Sequence, residues 1–299
     1  MVGTTFFAYC APYRAFRLKL FDRTFAGYCL VSAFAQGWSI FSGLQPFSNF
    51  CLLGLTLLLS IPKRQQIADD LRNSVDGIEM KTVAVLAAAA LAVAQNMLTA
   101  DRCYDNSLYH WLSARWVAEY GAVPGLANLH GRLGFNSSLG ALSGILGVPF
   151  GEAIGRGFAN GTTIFLVVCV LGHGLSFDWF TEERRGRGIY AWGLLTFLLA
   201  LVFSPCLSSP QPDVGSAAVA VAAAWYFFEF LMCPEDVGPQ AAASLFLTVA
   251  ASVVAFELKL AYICFAAVTA LIALAIALLR SDFRHVRLCL YFSAAIFLP

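Results

Sequence analysis

Charged side chains are what this sequence has least of: Asp, Glu, Lys and Arg make up 12% of its 299 residues, against roughly 25% in a soluble protein. Hydrophobic residues make up 59% and the mean hydropathy is +0.72, so the chain reads as a polytopic membrane protein. A basic surplus is also missing. With a formal net charge of +1 nothing is left over to neutralise a phosphate backbone, which excludes nucleic acid as a partner. The nine cysteines include no CxxC pair, and most (Cys10, Cys29, Cys51, Cys169, Cys233, Cys264 and Cys289) lie in or beside apolar runs, where a thiol behaves as a small hydrophobe. The first twenty residues lack the basic start, apolar core and small-residue site of a cleaved signal. No internal repeat and no soluble domain is visible.

Apolar runs are there in number. A hydrocarbon core about 30 Å thick takes about 20 apolar residues in a helix, with roughly 17 to 25 as the range. On that ruler the sequence predicts an all-α transmembrane bundle with spans near 25–44, 47–62, 82–100, 157–178, 189–204, 214–233, 240–257 and 261–279. A ninth begins near 286 and stops at Pro299, so the expectation is a single membrane domain, 1–299, forming the N-terminal part of a longer protein. Lys and Arg collect in 11–24, 63–81, 182–187 and 280–287, and cytoplasmic loops carry that excess. The topology that follows has a cytoplasmic N-terminus and leaves 101–136, the 205–213 turn and the 257–261 turn outside. Residues 137–152 are apolar but too short to cross, and are expected to form an interfacial or half-buried helix. Cys103 and Cys206 fall on one side and could pair in an oxidising compartment, although spacing alone does not favour the bond.

The longest polar and aromatic interval, Asp101 to Ser138, is where chemistry is expected. Asn106 to Tyr120 fits a helix lying along the membrane surface, with Asp105 as its N-cap, Gly121 as its stop and Pro124-Gly125 turning the chain. Asp105 or Asp101 can act as a general base on a hydroxyl, or hold a divalent cation (Mg or Mn) that bridges a lipid phosphate; each can equally be a cap or a solvated acid. Tyr109, His110 and His130 share the interval, and Arg132, between Asn128 and Asn136, offers a planar fork for phosphate or carboxylate. The same groups could instead knit the loop together. Neither spacing nor a third ligand suggests zinc. Asp213, stiffened by the prolines of SSPQPD, is a candidate or a helix cap. Lys259 could meet a pyrophosphate, or snorkel with Glu257. His173, within a span, is a candidate on that ground alone, and its glycine neighbours suggest helix packing instead.

The run YDNSLYHWLSARWVAEYGAVPGLANLHGRLGFNSS resembles a signature of a family of bacterial multi-pass membrane proteins, with a YD-x3-YH start and an EYG-x-VPGL-x-NLHGRLGFNSS block. The WSIFSGL, SSPQPD and ELKL segments fall in the same order. Those proteins in turn resemble the GT-C glycosyltransferases, polytopic enzymes that take a sugar from a polyprenyl-phosphate carrier at the outer face of the cytoplasmic membrane. The resemblance implies a lipid-linked sugar donor, a glycan or lipid acceptor of the cell envelope, and an acid of the first large outer loop as base or metal holder. Asp105 matches best and Asp101 second; here they are spaced D-x3-D rather than adjacent or one apart, and two further spans precede the loop. Two readings of another class accompany this one: a transporter or flippase of the same lipid-linked sugars, and a non-catalytic component of a polysaccharide assembly complex.

Overall fold

The computed structural model describes residues 2, 4, 20–44, 46–75, 80–99, 102–134, 137–147, 151–174, 182–233, 239–279 and 287. Every regular element among the described residues is helical: α1 (Leu20–Ser39), α2 (Pro46–Ser60), α3 (Arg64–Val75), α4 (Met80–Met97), α5 (Trp111–Tyr120), α6 (Leu126–Leu129), α7 (Ser138–Gly147), α8 (Gly151–Gly174), α9 (Glu182–Val202), α10 (Pro212–Met232), α11 (Pro239–Leu258) and α12 (Ile263–Leu279). Four helical stretches, Pro46–Asp69, Pro212–Met232, Gln240–Leu258 and Leu260–Leu279, are long and apolar enough to cross a membrane by length and composition. The expected run near 286 lies outside the described residues.

The centre of the bundle is α8, which packs against α1, α4, α7, α9 and α10. Beside it α10 and α11 make the most extensive pairing of the fold. Their alanine-rich faces explain it: Ala217 to Ala223 and Ala241 to Ala243 are buried, and small side chains let helix backbones approach until dispersion does the holding. Some buried hydroxyls find partners within their own helix, as Ser216 Oγ does on Pro212 O at 2.6 Å and Thr248 Oγ1 on Ser244 O at 2.7 Å, which satisfies those two donors in an apolar core. Two tyrosines fix α1 laterally. The Tyr28 hydroxyl meets Thr163 Oγ1 at 2.7 Å, and Tyr226 donates to Asp22 Oδ1 at 2.9 Å.

Two expectations change. The helix expected over 25–44 ends at Ser39, because the amides of Phe41 and Ser42 both bond Trp38 O, at 3.0 and 3.1 Å, and close a turn where the helix would have continued. The segment expected to form an interfacial or half-buried helix is, over Ser138–Gly147, enclosed by other helices: Leu139, Ala141, Leu142 and Ile145 of α7 are buried, sandwiched among α1, α5, α8 and α11. Its glycines make that possible, since Gly140 lies against Ala114 and Gly144 against Leu44 and Ala118.

Candidate functional site

At one end of the bundle the chain between α4 and α7 folds back on itself. It starts at Cys103, which is disulfide-bonded to Cys206 in the loop between α9 and α10, with Cα atoms 5.4 Å apart and a sequence separation of 103. A single π-turn, Asn106–His110, leads into α5; such a turn adds one residue to the helix and rotates the side chains before it. Asp105 therefore does not cap the helix as expected. Its backbone is already helical and its carboxylate makes no cap bond. Oδ1 instead pairs with Arg132 Nη1 at 3.0 Å, and Oδ2 accepts the Tyr109 hydroxyl at 3.2 Å.

Arg132 is brought there by a tight return. Gly121 ends α5 with φ of 77° and Gly125 turns with φ of 84°, values that L side chains rarely adopt. The short α6 follows, and Gly131–Gly134 winds against it so closely that a side chain on Gly134 would strike Ala127. The guanidinium lies 5.2 Å from the Tyr109 ring centre, within cation–π range. The His130 ring stacks on that of Tyr109 with centroids 6.4 Å apart, and the His110 ring lies tilted at 4.1 Å. The Arg132 amide reaches His130 Nδ1 at 3.3 Å, so that nitrogen is the acceptor. Burial pushes the Tyr109 phenol above its usual range, and the neighbouring Asp105 carboxylate pushes it further, against the pull of Arg132. Asn128 stands exposed on α6 with its amide nitrogen beside Gly125. Asp101 and Asn136 lie outside the described residues, and so does the side chain of His173.

The same end of the bundle carries a second charged pair. Lys259, just past α11, bonds Asp213 Oδ1, while Gln211 Nε2 donates to Asp213 Oδ2 at 2.5 Å. Burial lowers the Lys259 ammonium in spite of the carboxylate beside it. Asp213 sits in the first turn of α10 behind Pro212, as the sequence leads one to expect. What holds it was not evident from sequence: Asn160 of α8, fully buried, donates through Nδ2 to Ser209 O at 2.7 Å and Gln211 O at 2.9 Å. The signal was an amide in an apolar helix, which needs a partner there. Ser137 Oγ, bonded to Leu258 O at 2.6 Å, ties the returning loop to the end of α11. The disulfide and this bond together join the Asp105–Arg132 cluster to the Asp213–Lys259 corner.

What the arrangement offers is a half-exposed carboxylate next to a guanidinium, with a phenol and two imidazoles at hand. No group of three His, Cys, Asp or Glu that could hold a metal ion occurs among the described residues. Both Asp105 oxygens are already engaged by Arg132 and Tyr109, so the donor set does not fit a divalent cation. Glu257 does not snorkel with Lys259; it is buried.

No curated protein and no solved structure matches the chain. A family model described as a domain of unknown function (DUF8201) matches residues 3–299, nearly the whole sequence, and the protein belongs to that family.

Proposed function

We propose that the protein is a GT-C-like membrane glycosyltransferase, moving a sugar from a polyprenyl-phosphate-linked donor to a cell-envelope glycan or lipid at the outer face of the bacterial cytoplasmic membrane. The observation that carries the reading is the Asp105–Arg132 pair, a carboxylate and a guanidinium drawn from segments 27 residues apart and set at one end of an apolar bundle. Transfer from a phosphate carrier asks for little more than a base and a countercharge. The donor phosphate draws Arg132 away from Asp105, which frees Oδ1. Asp105 then takes the proton of the acceptor hydroxyl as its oxygen attacks the anomeric carbon, the bond from that carbon to the phosphate oxygen breaks, and polyprenyl phosphate departs with its charge met by Arg132. His110, His130 and Asn128 border the same space, and Tyr109 keeps the carboxylate oriented. The Asp213–Lys259 corner offers a second cation for a pyrophosphate-linked donor. Asp101 and Asn136, the remaining residues of the expected set, lie outside the described residues. Mg or Mn bridging the donor phosphate is a variant of the same chemistry that the described donors do not support.

The topology that accompanies this reading has eight or nine spans, a cytoplasmic N-terminus and residues 101–136 outside. Basic residues favour it, and so does the Cys103–Cys206 bond, because disulfides persist in oxidising compartments. A flippase for the same lipid-linked sugars is the second reading. One observation favours it: Glu257 is buried within an apolar helix, where acids often mark a transport path.

The test is complementation of surface-glycan synthesis with full-length protein carrying Asp105→Asn, which preserves size but removes the base. Loss of glycan at normal membrane abundance is expected, with at least a hundredfold lower transfer. Full activity would sink the catalytic assignment.

A further inference from the structure

Glu257, one residue before the end of α11, is 8% exposed, and both its carboxylate oxygens are buried without a hydrogen-bond partner among the described residues. The obvious cation two residues on is committed elsewhere, since Lys259 bonds Asp213. α11 packs against α1, whose buried Cys29 lies within electrostatic range of the carboxylate. One and two turns further on the same face of α1 come Ser32 and Gln36. Ser32 Oγ and Gln36 Oε1 are also buried and also without a partner.

Of the four unsatisfied oxygens on this end of α11 and this face of α1, three, the two of Glu257 and the amide oxygen of Gln36, only accept. The Ser32 hydroxyl carries the one proton in the set and can meet a single acceptor, which leaves the others to repel one another. A proton on Glu257 would supply one donor for the remaining acceptors. A dehydrated cation meets all of them at once and also cancels the buried charge. Hard oxygen donors carrying a single negative charge suit an alkali cation; a divalent or thiophilic metal asks for more charge or for softer ligands. Cys29 is close by, but its thiol is a poor ligand for such an ion.

We propose that Glu257, Ser32 and Gln36 form a buried site for a small monovalent cation, Na+ being the ion of fitting hardness and charge. The site lies beneath the Ser137–Leu258 bond and so close to the base of the returning loop. It rests on neither reading of the function: a bound ion would be structural in a transferase and a coupling ion in a transporter.

The experiment uses the full-length protein in lipid nanodiscs, with thermal unfolding followed in NaCl, LiCl, KCl and choline chloride at equal ionic strength. A ligand of the folded state raises the midpoint with the logarithm of its concentration above Kd. Na+ is expected to raise it saturably over choline, and Glu257→Gln is expected to abolish that rise without lowering the midpoint in choline, since it removes an uncompensated buried charge. Ser32→Ala should shift the Na+ titration to higher concentration. Should Glu257→Gln fail to fold, saturable binding of radioactive Na+ by the unaltered protein, weakened in Ser32→Ala, carries the test. The proposal is overturned if no alkali cation differs from choline, if Glu257→Gln keeps the full response, or if the midpoint follows pH alone.

Discussion

Asp105 shows how much a single side chain's role depends on what folds back to meet it. From sequence it stands at the right place to cap a helix, and the π-turn that follows turns it toward Arg132 and Tyr109 instead. Because its partner lies 27 residues away, no local pattern announces the pair. The Tyr109 phenol reports on it. Burial is the larger cause of its raised pKa and Asp105 the next, so Asp105→Asn should let the phenolate form at lower pH, measured by ultraviolet absorbance against the other tyrosines. The sign also fixes a stability effect. A phenol held above its unfolded value of about 10 stays protonated in the folded state while the unfolded chain has lost its proton, so this contribution is present at neutral pH and fades as pH rises past 10. An unchanged phenolate midpoint in Asp105→Asn would mean that the carboxylate does not reach Tyr109 in the membrane.

At the scale of the element, the helices were legible and their surroundings were not. Length and apolar content locate most of the helical segments, and Gly121 and Gly125 mark the turns because there, among the described residues, the backbone takes positive φ. Short apolar segments are another matter: SLGALSGILG has no polar side to betray its orientation, and a surface helix and a buried one of that length read alike. Its burial is decided by glycines that fit against Ala114, Ala118 and Leu44. Likewise WSIFSGL and EYG, far apart in sequence, interlock through backbone. The Ala122 amide, next to Gly121, bonds Ser39 O at 2.6 Å, and a side chain on Gly43 would collide with the Glu119 carbonyl. Gly121→Ala should therefore destabilise the protein by about 1–3 kcal/mol or more, from strain at positive φ and from collision with Ser39 and Ser42. Gly131→Ala is the contrast, because open space surrounds that position, and its thermal midpoint should stay within a degree or two of the parent. Equal midpoints for the two variants would argue against the interlock.

For the molecule as a whole, the disulfide joins two loops that the sequence keeps 103 residues apart, and it makes the direction in which the bundle crosses a membrane measurable. Crosslinking a loop of that length restricts the unfolded chain by about 4–5 kcal/mol in water; helices already inserted in a bilayer are less free, so the gain here is smaller. The more telling consequence is chemical. The proposed topology, with Asp105, Arg132, Asp213 and Lys259 at an outer face, goes with a bond between Cys103 and Cys206, since disulfides persist in oxidising compartments. Cys103 and Cys206 in intact cells should resist a membrane-impermeant maleimide until an impermeant reductant is added, and then both should label, as peptide mapping would show. Cys264, an exposed free thiol set a turn past Lys259, supplies the control for access to the apolar faces of α12. Labelling that needs the membrane opened first would put the loop in the cytoplasm, break the link between basic residues and topology, and remove the outer-face reaction along with it. Labelling without reductant would leave the two loops untethered, and the Asp105–Arg132 and Asp213–Lys259 pairs would then have to be treated as separate sites.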